Sequence, residues 1–106
     1  MAWIYLVIAG LLEVVWAYSM KLSDGFSRPV PAAVTIVTMI MSFTLLAMAM
    51  RSLPLGTAYM MWTGIGAIGA FILGVVLLGE AVTAMRVFAA LMIVGGLVLM
   101  KLSSPA

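Results

Sequence analysis

Long uncharged runs alternate with short charged segments along the whole chain. Each run holds about 20 residues, and a helix of that length, rising about 1.5 Å per residue, crosses the roughly 30 Å hydrocarbon core of a bilayer. Transmembrane β-strands would alternate polar and apolar side chains, and these runs do not. The pattern predicts an all-α integral membrane protein, a single domain over residues 1–106 with four short transmembrane helices at about 2–21, 30–50, 54–78 and 83–102.

Glycine, proline and basic residues mark the ends of the runs. Gly25 and Pro29 break the chain after the first run, and Pro54 suits a first helical turn because its missing N–H has no helical partner there. Arg86 and Lys101 lie near the two ends of the fourth run, where their long side chains can reach the headgroups. The first run lacks a preceding basic segment and a small-residue cleavage motif, so we expect a retained helix and not a signal peptide.

Composition excludes several classes of function. Hydrophobic residues make up 67% of the chain and charged residues 8%, whereas soluble domains are about 45–50% apolar and about 25% charged. The five basic residues are scattered, which argues against a nucleic-acid partner. Cysteine and histidine are absent, and methionines two positions apart point away from each other on a helix, so we expect no metal site. Phosphate-binding and nucleophile motifs are also absent, so we expect neither a cofactor nor an enzymatic activity.

Glu13 is the only ionisable side chain within the first apolar run. A carboxylate near the centre of a membrane helix costs about 2.5–3.5 kcal/mol on insertion scales, and such residues usually mark ion or substrate pathways. Without histidine, proton chemistry falls on the carboxylates and tyrosines, and we expect Asp24 and Glu80, which lie outside the runs, to be solvated. Glu13 is therefore the candidate group for binding a cation, a proton or both.

Other hydrogen-bonding side chains lie at a depth similar to that of Glu13. Glu13 is about 15 Å into its helix, Ser42 is near the middle of the second helix, and Trp62 is in the first half of the third, one turn after Tyr59. Trp16 shares the helical face of Glu13. Hydroxyl and indole groups can donate to a carboxylate, and aromatic faces attract cations. The set predicts a cation pocket, although interfacial anchoring of the aromatic residues and a serine bond within its own helix are alternative explanations.

Protons and a cation that compete for one acidic group suffice for antiport, provided that the site opens to one side at a time. Gly64 and Gly66 offer a hinge for that change, because glycine permits kinks, and tight packing against Trp62 is the alternative explanation. Ala89 and Gly96 lie seven residues apart on one face of the fourth helix, a spacing that favours packing in a dimer. The general abundance of small residues in membrane helices explains that pair equally well.

The charges of the loops hardly specify which way the chain is oriented in the membrane. With four spans, Arg51 and Lys101 lie on one side of the membrane, and Lys21, Arg28 and Arg86 lie on the other. The positive-inside rule acts through such Lys/Arg differences, and a difference of one is nearly balanced. We therefore predict dual topology, in which copies insert both ways and pair antiparallel with each other in the lipid.

Two segments, GLLEVVWA at residues 10–17 and LPLGTAYMMWTGIG at residues 53–66, carry a resemblance to the small multidrug resistance family. The resemblance extends over essentially the whole chain. It implies a proton-coupled exporter that works as an antiparallel, dual-topology homodimer in the bacterial inner membrane, with Glu13 binding substrate and protons in turn.

Within that family the chain resembles the guanidinium-exporter branch in three features, which are Trp16 after Glu13-Val-Val, Ser42 and the TGIGA segment at residues 63–67. The resemblance implies that Glu13 contacts guanidinium, that Trp16 and Ser42 hydrogen-bond and orient the carboxylate, that Tyr59 gates or couples, and that Trp62 lines the pocket. Two alternatives remain open: a broad exporter of quaternary ammonium compounds, and a non-transporting subunit that pairs with a related chain.

Overall fold

The computed structural model describes residues 1–103 and contains four helices within that range. Each helix is long and apolar enough to cross a membrane. The prediction of an all-α protein with four membrane-spanning helices is confirmed. The last three residues of the predicted domain lie outside the described residues. The helices are α1 (Ala2–Leu22), α2 (Pro29–Ala49), α3 (Leu55–Leu78) and α4 (Ala84–Ser103).

Proline and glycine set the ends of α2 and α3. Arg28 is extended (φ −100°, ψ 121°), as the residue before a proline prefers, and Pro29 then opens α2. Pro54 precedes α3 as its N-cap. At the other end of α3, Gly79 adopts the left-handed conformation (φ 71°), and the next N–H, that of Glu80, donates to the Gly74 carbonyl at 3.0 Å. This arrangement satisfies carbonyls that the end of a helix would otherwise leave free.

The connection between α1 and α2 is a compact turn built around Ser23. The fully buried Ser23 hydroxyl donates to the Met20 carbonyl at 2.7 Å and accepts from the Phe26 N–H at 3.0 Å. Asp24, Gly25 and Phe26 all have positive φ, which reverses the chain within a few residues. The turn therefore places α1 and α2 side by side.

The helices form a flat slab with extents of 43 × 35 × 16 Å. α1 packs against α2 on one side and α3 on the other, and the backbone of α4 approaches only α3. The Lys101 ammonium lies 4.4 Å from the Trp3 ring centroid, so the start of α1 and the end of α4 lie at the same face of the membrane.

The buried core consists of residues from α1, α2 and α3 and from the connection between α2 and α3. Within residues 1–103, α4 contributes no buried residue. Most other large apolar side chains are exposed, as expected where lipid and not water surrounds the protein. The apolar core residues are Leu6, Ala9, Leu46, Ala49, Leu53, Ala58, Met61 and Trp62.

Two glycines allow a test of the left-handed end of α3. A Cβ would meet no atom within 4 Å at either Gly79 or Gly56, but only Gly79 has positive φ. We expect Gly79→Ala to lower the free energy of unfolding by about 1 kcal/mol, because L-residues avoid that conformation. Gly56→Ala, inside a helix, should leave it unchanged or raise it by up to about 1 kcal/mol. Unfolding of both variants in detergent measures the difference, and equal effects would contradict the assignment.

Candidate functional site

Glu13 lies where α1 packs against α3. A Cβ placed on Gly66 would overlap the Glu13 carboxylate, so the carboxylate rests directly on the backbone of α3. The Oε1 atom of Glu13 is buried and has no hydrogen-bond partner among residues 1–103. Buried polar atoms are nearly always paired, so an unpaired carboxylate oxygen requires an explanation. It makes Glu13 the candidate group for binding a cation or a proton.

Ser42 forms a hydrogen-bonded junction of three helices beside that carboxylate. The indole Nε1 of Trp62 on α3 donates to the Ser42 hydroxyl at 2.9 Å, and this hydroxyl donates to the Ala9 carbonyl of α1 at 2.7 Å. Ser42 is fully buried and Trp62 is only 7% exposed. The two bonds therefore fix α1, α2 and α3 relative to one another at mid-membrane depth.

The junction leaves no hydrogen bond between Ser42 and Glu13. A serine hydroxyl has one proton, and Ser42 gives it to Ala9, so it cannot donate to the carboxylate at the same time. The indole Nε1 of Trp16 is likewise buried without a partner among residues 1–103. The structure thus brings the expected residues together, while the orienting bonds from Trp16 and Ser42 to Glu13 are not formed.

Four aromatic rings form a continuous series next to the site. The ring centroids of Trp16 and Phe43 lie 6.3 Å apart, those of Phe43 and Trp62 5.7 Å, and those of Tyr59 and Trp62 5.5 Å, all in tilted or edge-to-face geometry. Tyr59 and Phe43 are about half exposed. Sequence reasoning missed Phe43, because an apolar ring in a lipid-facing run carries no polar atom to distinguish it.

The two candidate hinge glycines face different neighbours. A Cβ on Gly64 would overlap Leu97 of α4, whereas one on Gly66 would overlap Glu13 of α1. Both lie inside the uninterrupted helix α3. Each therefore has a packing function, and a hinge remains a prediction.

The two residues predicted for dimer packing lie on the exposed surface of α4. Ala89 lines a shallow cavity between α3 and α4, and a Cβ on Gly96 would meet no atom within 4 Å. Gly96 lines the open groove between α3 and α4, near Gly64 and Leu97.

Comparison with known proteins fits this arrangement of helices and polar groups. The sequence profile of the family described as Small Multidrug Resistance protein matches residues 1–94. The chain belongs to the small multidrug resistance family. It is 58% identical over 104 residues to a protein of Escherichia coli K12 named guanidinium exporter, covering 98% of this chain and 99% of that protein.

Relatives with the same name occur in other enteric bacteria. The protein of Yersinia pseudotuberculosis is 57% identical over 98% of this chain and all of its own length, and that of Salmonella typhimurium is 53% identical over 98% of this chain and 99% of its own. The family and the four helices together make this small multidrug resistance chain a multi-pass protein of the bacterial inner membrane.

The hydrogen bond between Trp62 and Ser42 can be tested by a double-mutant cycle. We expect Ser42→Ala to lower the free energy of unfolding by about 1–3 kcal/mol, because it leaves a buried indole N–H without an acceptor. Trp62→Phe should destabilise as well, and the double variant should lose less than the sum of the two. Thermal unfolding in detergent provides the measurement.

Thr44→Val is the matched control for this cycle. The Thr44 hydroxyl is exposed and bonds only to the Ile40 carbonyl of its own helix, so its loss should change stability by less than about 0.5 kcal/mol. Strict additivity of Ser42→Ala and Trp62→Phe would show that the two side chains do not interact.

Proposed function

We propose that the chain is a proton-coupled antiporter that exports guanidinium and substituted guanidinium ions, and that Glu13 binds cation and proton alternately. The observation that carries the proposal is the buried, unpartnered Glu13 oxygen beside a series of aromatic rings. The names of the relatives support the same substrate. The chain is a transporter and not an enzyme.

The hydrogen-bond donors and acceptors of the site suit a guanidinium ion. This ion is planar and carries only N–H donors, in a fork that matches the two oxygens of a carboxylate. Glu13 supplies the acceptor, whereas the indoles of Trp16 and Trp62 are donors only and can meet the ion through their ring faces. Trp16 Nε1 has no partner among the described residues, so in this proposal it is available as a donor to the Glu13 carboxylate.

The exposed rings favour ions that carry an apolar substituent. Phe43 and Tyr59 are about half exposed and flank the buried Trp62, so a substituent could lie against them while the guanidinium head reaches Glu13. The same rings would contact a quaternary ammonium ion, but such an ion has no N–H to give to the carboxylate. Tyr59, the more exposed of the two, is our candidate for the gate.

Proton coupling follows from the use of a single carboxylate. Protonation removes the negative charge that attracts the cation, so proton and guanidinium cannot be bound together. A change in α3 at Gly64 and Gly66 would then expose the site to either side in turn. In this proposal the coupling requires no second titratable group within the membrane.

Flux through proteoliposomes tests the function. We expect guanidinium and an alkylated guanidinium to be exchanged for protons, and a bulky quaternary ammonium ion to be carried at least about tenfold more slowly, because it cannot hydrogen-bond to Glu13. Glu13→Gln should abolish exchange. The apparent KM should rise as the pH falls, since protons then compete for the carboxylate.

Phe26→Leu is a suitable control, because this side chain lies in the connection at the membrane surface and should leave the flux unchanged. Wild-type flux in Glu13→Gln would sink the mechanism. Absence of transport by the purified chain alone would favour the assembly-subunit alternative.

We also propose that the transporting unit is an antiparallel homodimer. Four thin helices arranged in a flat slab do not enclose Glu13, and α4 buries no side chain within the described chain. The exposed small residues Ala89 and Gly96 would allow a second α4 to approach closely. The balanced loop charges support insertion in both orientations.

The proposed dimer predicts both the accessibility of a C-terminal tag and the effect of a substitution on α4. A C-terminal tag should be accessible from both faces of the membrane, and Gly96→Val should dissociate the dimer in detergent, because a branched side chain would separate the two α4 helices. Gly95→Val is the matched control, since a Cβ there also meets open space within the chain but points about 100° away. Uniform tag orientation would rule out the antiparallel arrangement.

A further inference from the structure

A cavity of about 480 Å³ with a mixed polar and apolar lining lies between α1 and α3, on the membrane side where α1 ends. Tyr18 and Lys21 line it from α1, and Glu80 lines it from the connection after α3. The groove between α3 and α4 differs, because its lining is apolar apart from the hydroxyl groups of Tyr59 and Thr63. The cavity thus combines a phenol, an ammonium and a carboxylate at the membrane surface.

The cavity lies on the same side of α3 as Glu13. Gly66 contacts the Glu13 carboxylate, Ala70 lines the cavity one turn further, and Gly74 lines it another turn further. On α1, Ala17 follows Glu13 by one turn and also lines the cavity. Positions four apart share a helix face, so the cavity begins about one turn beyond Glu13, on the same faces of α1 and α3, and extends from there towards the membrane surface.

Glu80 is held over the outer end of this path. Its Oε1 accepts from the Arg86 guanidinium at 3.1 Å, and a Cβ on Gly74 would overlap its carboxylate. The carboxylate therefore lies on the backbone of α3, as Glu13 does two turns deeper. The Glu80 side chain is 46% exposed, so it is accessible to an ion in water.

We propose that Glu80 is a peripheral cation-binding residue in the outer part of the path to Glu13, a role that rests on the proposed function. An organic cation that comes from the water would contact Glu80 first and then move past Ala70 to the deeper carboxylate. Lys21 repels the cation at the same opening, and Arg86 competes with it for Glu80. The balance of these charges sets the local cation concentration at the opening.

Salt-dependent kinetics test this role. With Glu80→Gln, we expect the KM for guanidinium flux to rise about tenfold at about 10 mM ionic strength and less than about twofold at about 1 M, where the Debye length is about 3 Å. The maximal rate should stay within about twofold, because Glu13 is untouched. A purely structural loss would lower the maximal rate and would not disappear with salt.

Two control variants separate the carboxylate from its ion pair. Arg86→Gln removes the competing cation and should lower the KM at low ionic strength, opposite to Glu80→Gln. Asp24→Asn removes one negative charge on the same side of the membrane but outside the cavity, and should leave the KM unchanged. An equal rise for Glu80→Gln and Arg86→Gln, or for Glu80→Gln and Asp24→Asn, would overturn the proposal.

Thiol labelling tests the path without requiring transport. The chain has no cysteine, so Ala70→Cys introduces a single thiol inside the cavity. We expect a water-soluble cationic thiosulfonate to label it, and Glu80→Gln to slow that reaction without slowing a neutral reagent. Ile72 lies on the opposite face of α3, which is exposed to lipid and not to water, so Ile72→Cys should stay unlabelled.

The labelling and flux outcomes separate the two proposals. If the cationic reagent labels the Ala70→Cys variant equally fast with and without the Glu80 carboxylate, the role of Glu80 is overturned, whatever the flux. Wild-type flux in Glu13→Gln overturns the proposed function alone, because the charge dependence of labelling at position 70 does not involve Glu13.

Discussion

The contact between Glu13 and Gly66 is the constraint on which the rest of the molecule depends. A Cβ at position 66 would overlap the Glu13 carboxylate, so Gly66 provides the space in which that carboxylate lies between the two helices. The contact fixes the approach of α1 to α3, and the Trp62–Ser42–Ala9 hydrogen bonds add α2 to the same junction. Any motion that opens the site must either break these bonds or carry the three helices together.

Much of this organisation could be predicted from the sequence because lipid imposes strict requirements. A chain in hydrocarbon must satisfy its backbone hydrogen bonds internally, so four long apolar runs meant four helices. Counting depth at a fixed rise per residue also placed Glu13, Ser42 and Trp62 at one level. These inferences needed only helix geometry and the cost of burying polar groups.

The remaining details depend on distances that no pattern encodes. Whether the Ser42 proton goes to Glu13 or to the Ala9 carbonyl is decided by side-chain positions within about an ångström. Phe43 has no polar group to mark it, and Glu80, which is exposed as expected, also contacts α3 and Arg86, which the sequence did not indicate. In each case a tertiary contact gave a role to a residue that its neighbours in sequence did not indicate.

The exposure of α4, which buries none of its residues within the described chain, has a thermodynamic consequence. A helix that buries no side chain within its own chain gains most of its packing free energy from whatever lies outside, here lipid or a second copy. In the proposed homodimer, folding and association would be a single linked equilibrium. Resistance to unfolding would then depend on how densely the protein populates the bilayer, so dilution in lipid would act on such a dimer as a denaturant acts on a soluble protein.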